Sequence, residues 1–350
     1  MDELRKKNGV LLSVILPNYN HGHLLQRAFE AIRAQELQPD EIFLIDDGST
    51  DDSSAVIDRL AATMPALRVI KNPQNAGLVP AQQRGLAAAR GRYVYFAAAD
   101  DWVMPGFFAF AIGMLEKFPQ AALFTGETNI VDGPTGRFLG MRPIVRPVYR
   151  SGMVDQQQVL RLLTRSDNWV LTGSTVFRRD VLLAAGGFDE RLGSYADGYL
   201  VRKVILTHGF CFAPQTVATW CVFPDSASRS TALDEDSAVR ILTAVPSHLA
   251  ADPVFPKEYL DLFRNRWRFA TSRLSLEARP INHAQVIAMG ARTPADRAVL
   301  ECIWRISKGQ LGRLATLAWL WFRLRPYRLV DLVRTSLSRA LERLIRVREP

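Results

Sequence analysis

A chain of 350 residues with 48% hydrophobic and 23% charged content is long enough for one large domain or two modest ones, and too apolar to stay disordered. Its 22 Gly and 19 Pro are near average usage and fall into no repeat, which excludes collagen-like and low-complexity structure. Three widely spaced cysteines without a CxxC pair (Cys211, Cys221, Cys302) argue against a disulfide framework or structural zinc and for a reducing compartment, and the net charge of +9 sits mostly in residues 301–350, where eleven Lys and Arg face four acids.

Arg5, Lys6 and Lys7 precede the apolar run Val10 to Leu16 as in a leader peptide. The run is short, lacks a small-residue cleavage site and leads directly into Pro17-Asn18-Tyr19-Asn20, so a buried strand is predicted. No apolar run approaches the roughly 20 residues that a spanning helix needs, and the expected location is the cytoplasm. Strands are predicted at 11–16, 41–45, 67–70 and 93–96, with amphipathic helical patterns between them, such as Leu24, Leu25, Ala28, Phe29 and Ile32. Short apolar strands alternating with helices predict an α/β, Rossmann-like architecture, a mainly parallel sheet sandwiched by helices. Ligands gather at the carboxyl ends of such strands. The polar motifs Asn18-Tyr19-Asn20, Asp46 to Asp51, Asn72 to Gly77 and Asp100-Asp101 all fall there. From 126 to 230 the alternation fades, with a Pro- and Arg-rich loop over 133–150, an apolar stretch over 170–177 and a helical pattern over 197–206. Beyond 235 the texture changes to Leu-, Ala- and Arg-rich helices punctuated by proline. The predicted division is 1–235 and a basic α-helical region over 236–350.

Asp46-Asp47 and Asp100-Asp101, at the ends of what are expected to be neighbouring strands, would concentrate negative charge in one crevice. Carboxylate oxygens suit Mg2+ or Mn2+, an ion that shares itself between one or two protein carboxylates and substrate phosphates, so a diphosphate is the natural third component. Either pair alone is also compatible with helix capping. Tyr19 is placed to stack on a base while Asp47 accepts the imide N–H of uracil. A carboxylate accepts but cannot donate, which suits uracil or thymine and penalises cytosine, whereas guanine, with N–H donors of its own, stays open. A purely packing role for Tyr19 is the alternative.

The run Val14-Ile15-Leu16-Pro17-Asn18-Tyr19-Asn20, then Ile45-Asp46-Asp47-Gly48-Ser49-Thr50-Asp51, Asn75-Ala76-Gly77, and Gly91-Arg92-Tyr93-Val94-Tyr95-Phe96 leading to Asp100-Asp101 resembles the family 2 nucleotide-sugar glycosyltransferases. Gly173 to Arg179, Gly186 to Glu190 and Ala196-Asp197 are similar to that family's acceptor half, so the resemblance covers residues 10–230 and not the tail. It implies a GT-A fold, a nucleotide-diphosphate sugar donor (a UDP-sugar favoured) and an inverting single displacement in surface polysaccharide or glycolipid assembly, with a glycan or lipid-linked acceptor. By the same resemblance Pro17, Tyr19, Asn20, Asp47, Asn75, Gly77 and Asp100 bind the nucleotide, Asp101 with Asp100 holds Mn2+ or Mg2+, and Asp197 is the general base. Only the incoming hydroxyl needs a base when a metal neutralises the leaving diphosphate, unlike a glycosidase with its pair of carboxyls. From position alone Asp197 serves equally as the cap of its helix.

This chain departs from the family pattern at Ala98 (in place of a third acid), Gln82-Gln83 (an Arg-Asn pair), Ala196 (an acid before the base), and Cys221 and Phe223 (an Arg and a His). Arg84, Arg178, Arg179 and Arg229 are the basic residues that stand to compensate. The departures leave a second reading, a catalytically inactive nucleotide-sugar-binding or scaffolding protein of the same fold. Dinucleotide, Walker and zincin signatures are absent. Phe263-Arg264-Asn265-Arg266-Trp267 lacks the Gln of a processive synthase's QxxRW. In the tail, residues 310–348 interleave Leu311, Leu314, Leu317, Trp319, Leu320, Trp321 and Phe322 with arginines. That pattern suits an anionic membrane surface, with the enzyme peripheral on the inner face of the cytoplasmic membrane, and equally a helical subdomain or homo-oligomer contact. Nucleic acid is not expected, for want of any binding motif.

Overall fold

The computed structural model describes residues 9–223, 226–307 and 309–346. The basic cluster Arg5, Lys6 and Lys7, Lys308, and the part of the tail beyond Arg346 lie outside the described residues. The chain forms two compact units. The first contains the described residues up to Leu162, Asp167–Phe223 and those from Arg334 onward; the second contains 163–166 and 224–333. The sequence-based division at 235 thus meets a first unit that closes at Phe223 and takes the chain back at Arg334.

The first unit is built on one sheet. Its strands are β1 (Leu12–Asn18), β2 (Glu41–Asp46), β3 (Leu67–Lys71), β4 (Tyr93–Phe96), β5 (Trp102–Val103), β6 (Leu123–Asp132), β7 (Phe138–Arg142), β8 (Gly152–Val154), β9 (Thr175–Arg178) and β10 (Phe210–Val222), in spatial order β3-β2-β1-β4-β9-β6-β10-β5. The pairs β1–β2, β2–β3, β1–β4 and β6–β10 are parallel, and β9 enters antiparallel between β4 and β6. Central β1 is buried at every position but Pro17, as a strand covered by helices on both faces must be. Pro17 is tolerated because the pairing with β4 ends at Ile15–Phe96, so only the β2 side, opposite Ile45, continues past it.

Helices α1 (Gly22–Arg33), α2 (Ser53–Thr63) and α3 (Leu78–Ala88) supply the crossovers, and α4 (Phe107–Lys117), α5 (Gln156–Leu163), α6 (Arg179–Ala184) and α7 (Ala196–His208) follow. On α1, Leu25, Ala28, Phe29 and Ile32 are buried at the i, i+3, i+4, i+7 spacing that the sequence predicts. The 13-residue β10 runs past β6 with shifts of register around Pro214, and so carries Cys221 to the edge of the crevice described below.

The second unit is helical: α8 (Ala227–Leu233), α9 (Glu235–Ala251), α10 (Lys257–Glu277), α11 (His283–Gly290), α12 (Pro294–Ile306) and α13 (Gly309–Leu324). Its core includes Phe269, Leu276, Val286, Leu300, Leu320 and Leu324, with Trp319 and Trp321 packed against them. These tryptophans are therefore spent on packing rather than presented outward. Arg266 and Trp267, from the segment that approximates a synthase motif, hold helices together: Arg266 Nε donates to the Pro326 carbonyl at 3.1 Å and Trp267 Nε1 to that of Ala238 at 2.9 Å. The last helix, α14 (Leu329–Arg346), returns to the first unit from Arg334 onward. No described helix is long and apolar enough to cross a membrane.

Candidate active site

The turn after β4 delivers Asp100 and Asp101 beside the end of β10. Asp101 Oδ1 accepts the backbone N–H of Cys221 at 2.9 Å. Burial pushes the Asp101 carboxyl well above the usual carboxylate range, and the neighbouring Asp100 charge pushes it further; burial also raises Asp100, with His21 and Arg27 pulling it back. A cation beside two such adjacent carboxylates would favour their ionised forms. Among the described residues no group of three His, Cys, Asp or Glu side chains is assembled for a metal. The two carboxylates offer hard oxygens of the kind that Mg2+ or Mn2+ would share with phosphate and water.

Arg27 is a site residue that sequence reasoning missed. Its guanidinium lies 4.4 Å from the Trp102 ring centroid, and Nη2 donates to the Asp100 carbonyl at 2.8 Å and to Cys221 Sγ at 3.5 Å. A guanidinium on α1 thus stands beside Cys221, the position where the resemblance predicts an Arg. The Cys221 thiol is pushed up to about 11, chiefly by burial, and stays protonated. Phe223 packs against Gly133, where an added Cβ would meet its ring at 2.5 Å.

The second cluster comes through a short 3-10 turn, Thr172–Ser174. Thr172 Oγ1 donates to Asp197 Oδ2 at 3.2 Å, and the next residue, Gly173, lies so close to Asp101 that a Cβ there would stand 3.2 Å from Oδ2. Tyr95, on β4, ties the turn down by donating its hydroxyl to the Gly173 carbonyl at 3.0 Å. Asp197 sits in the first turn of α7 and also accepts the Gly198 N–H at 2.6 Å. Burial raises its carboxyl above the usual range, against the opposing effects of Gly198, Thr172 and Arg202. Asp197, Asp101 and Asp100 are thereby gathered around one turn.

The residues that the resemblance assigns to the nucleotide form a separate network at the ends of β1 and β2. Tyr19 is 41% exposed, a free ring at the end of β1. Asn20, in the left-handed region at φ 56°, accepts the backbone N–H groups of Thr50 at 2.7 Å and Asp51 at 3.3 Å and holds that loop. Asp47 is buried; its carboxylate accepts from Asn72 Nδ2 at 2.6 Å, the Gly77 N–H at 2.7 Å and the Ala76 N–H at 3.1 Å. Asn75 Oδ1 accepts the same Gly77 N–H at 2.9 Å. Gly48 permits this closure, since a Cβ there would lie 2.7 Å from the Gln74 backbone.

The two acidic pairs do not end neighbouring strands, because β1 lies between β2 and β4. Two strand spacings separate them by roughly 10 Å. Asp46 is not turned over to a cation either; it accepts from Asn18 Nδ2 at 3.4 Å. Of the expected compensating arginines, Arg178 is buried under the sheet and donates to the carbonyls of Ala121 (2.9 Å) and Leu115, which removes it from the crevice. Arg84 donates to Asn72 Oδ1 and so braces the Asp47 network, and Arg229 belongs to the second unit. Gln83, in place of a family residue, accepts the Phe188 N–H at 3.0 Å and anchors the Gly186-Gly187-Phe188 motif.

Residues 13–182 match the family model described as Glycosyl transferase family 2. A protein of Mycobacterium tuberculosis, MT1568, is 28% identical over 278 residues, 70% of this chain and 77% of its own. The Escherichia coli glycosyltransferase YibD is 32% identical over 174 residues, 49% of either chain, and the glycosyltransferase GlyG of Streptococcus pneumoniae 37% identical over 93 residues, 27% of this chain and 31% of its own. The chain thus spans about half of YibD and about a third of GlyG. Among solved structures, S. aureus TarS 1–349 in complex with UDP-GlcNAc superposes with a TM-score of 0.60 at 16% identity over 90% of each chain. The mannosyltransferase PcManGT of Pyrobaculum calidifontis in complex with GDP-Man and Mn2+ gives 0.56 at 18%, over 94% of this chain and 87% of its own. At these identities the likeness concerns the fold, which is of the GT-A type.

Proposed function

We propose that this chain, which matches the model of glycosyl transferase family 2 over residues 13–182, is a glycosyltransferase that moves a sugar from a UDP-sugar to a hydroxyl of a glycan or lipid-linked acceptor with inversion at the anomeric carbon. The acceptor hydroxyl gives its proton to Asp197 as its oxygen bonds to the anomeric carbon. The bond from that carbon to the diphosphate oxygen breaks on the opposite face, and its electron pair leaves with UDP. The raised Asp197 carboxyl makes its ionised form a stronger base towards the acceptor hydroxyl than an ordinary carboxylate.

Asp100 and Asp101 would hold Mn2+ or Mg2+, which when bound neutralises the charge developing on the departing diphosphate. Arg27, fixed over Trp102, lends positive charge on the same side. Tyr19 stacks on the base. Asp47 receives the uracil imide: three donors already use a carboxylate with room for roughly four, which leaves one place for a donor and none for an acceptor. The observation that carries the reading is the Thr172–Gly173 turn, which touches Asp197 on one residue and approaches Asp101 on the next.

Calorimetric binding of UDP, dTDP, GDP and CDP, each with and without Mn2+, is the direct test, followed by donor-sugar turnover with Asp101→Ala and Asp197→Asn. UDP is expected to bind best and to need the metal. Asp101→Ala should lose at least tenfold in affinity, and Asp197→Asn should bind UDP but transfer sugar roughly 10²–10⁴ times more slowly. If no nucleotide binds, the reading fails in favour of a scaffold that has kept only the fold.

A further inference from the structure

Helix α14 is mounted inside out. Asp331, Thr335, Ser338, Arg339 and Glu342 lie on one face and are turned inward, whereas Leu329, Val330, Val333, Leu337 and Leu341 occupy the opposite face and are 49–67% exposed. The inward polar face is held by a built network. Arg146, with a fully buried side chain, donates to Glu127 at 2.7 and 2.9 Å, to Ser338 Oγ at 2.9 Å and to Glu342 at 2.5 and 2.8 Å, while Arg339 donates to Glu127 and to the Pro143 carbonyl. Asp331 is likewise taken, by Arg165 Nε at 2.9 Å. The orientation is therefore fixed by buried ion pairs, and the aliphatic stripe faces solvent in consequence.

Charge decides what covers that stripe. Both acids of α14 point inward and are neutralised there. The exposed Arg334 and Arg343 flank the aliphatic arc on its two sides, Arg334 4.5 Å from the Tyr149 ring centroid and Arg343 6.0 Å from that of Phe138. Phe138, which Arg343 covers, and its neighbour Leu139 are themselves 50% and 46% exposed in the β6–β7 hairpin. An aliphatic stripe, an exposed Phe-Leu pair and exposed arginines on a helix whose two acids are paired with buried or half-buried arginines match the boundary of an anionic lipid bilayer, where apolar side chains enter and guanidinium groups meet headgroups. A second copy of the chain is a poorer match, since two such faces would bring arginine against arginine. We propose that the exposed face of α14, with Phe138 and Leu139, docks the protein on an anionic membrane surface.

The test is flotation of the full chain with phosphatidylcholine vesicles with and without phosphatidylglycerol, for the wild type, Leu337→Ser/Leu341→Ser and Arg334→Ser/Arg343→Ser. The wild type should float with the anionic vesicles only and be released by high salt, and each double variant should lose at least tenfold in binding with its thermal midpoint unchanged, since all four side chains are exposed. Wild-type protein that stays unbound, variants that bind as well as wild type, or a lipid-free dimer in ultracentrifugation that the Leu337→Ser/Leu341→Ser variant dissolves would each overturn the proposal.

Discussion

The Thr172 hydroxyl donates to Asp197 across 25 residues of chain at 3.2 Å, and it does so from a turn whose next residue abuts Asp101. The group expected to take the acceptor proton and the group expected to face the diphosphate are thus registered by a single peptide unit. A shift of that turn would displace both.

Asp197→Asn should lower turnover by roughly 10²–10⁴ and leave UDP affinity intact. It should also stabilise the fold, in a pH-dependent way. Burial raises the folded-state pKa of Asp197, so the native protein holds that proton more tightly than the unfolded chain. Folding then takes up a proton between the two values, and stability is lost as pH rises from the ordinary carboxylate value through the folded one. The thermal midpoints of wild type and Asp197→Asn should converge at acid pH and diverge at neutral pH, with the variant higher by about 2–4 °C for each kcal/mol gained. A midpoint difference that does not change with pH would rule out this account.

Thr172→Val removes a donor to the ionised form of Asp197. The carboxyl then becomes harder to ionise, so the acid limb of the kcat/KM profile should move to higher pH, with about a tenfold loss below it. Thr172→Ser should restore the profile. Identical limbs in Val and Ser variants would mean that the hydroxyl acts only in packing.

Arg27→Ala withdraws a guanidinium held over Trp102 and bonded to the Asp100 carbonyl. Donor kcat/KM should fall about tenfold or more, as for loss of a charge-assisted contact. Arg84→Ala, by contrast, disturbs Asn72 and through it the Asp47 network, and is expected to act on nucleotide KM rather than kcat. Steady-state kinetics with varied donor separates the two.

Arg146→Ala leaves Glu127 and Glu342 short of their buried counter-charge. Removing one partner of a buried ion pair costs about 3–5 kcal/mol, whereas Arg273→Ala, which breaks an exposed i,i+4 pair with Glu277, should cost under about 1 kcal/mol. Urea unfolding of the two variants measures the contrast.

The first four strands, the helices between them and the positions of the acidic motifs are legible in the sequence, because strands covered on both faces read as unbroken apolar runs and amphipathic helices as a 3.6-residue period, both written in adjacent residues. Arg27 was not legible. Its partner Cys221 is 194 residues away, and their meeting depends on β10 running past β6 to the edge of the turn after β4. The same holds for Arg178, which lies within an acceptor-half motif and is one of four basic residues that the sequence offers to compensate for the replaced Arg and His. The antiparallel insertion of β9 sends its side chain beneath the sheet instead.

Helix α14 shows the division most clearly. The amino-acid order by itself determined that residues 329–346 form an amphipathic, arginine-rich helix, since that depends only on spacing along one chain segment. Which face turns inward is not a property of the segment. A buried guanidinium at Arg146 and a carboxylate at Glu127 make the polar face the complementary one, and the aliphatic face is left outside because desolvated charges must be paired before apolar area can be buried.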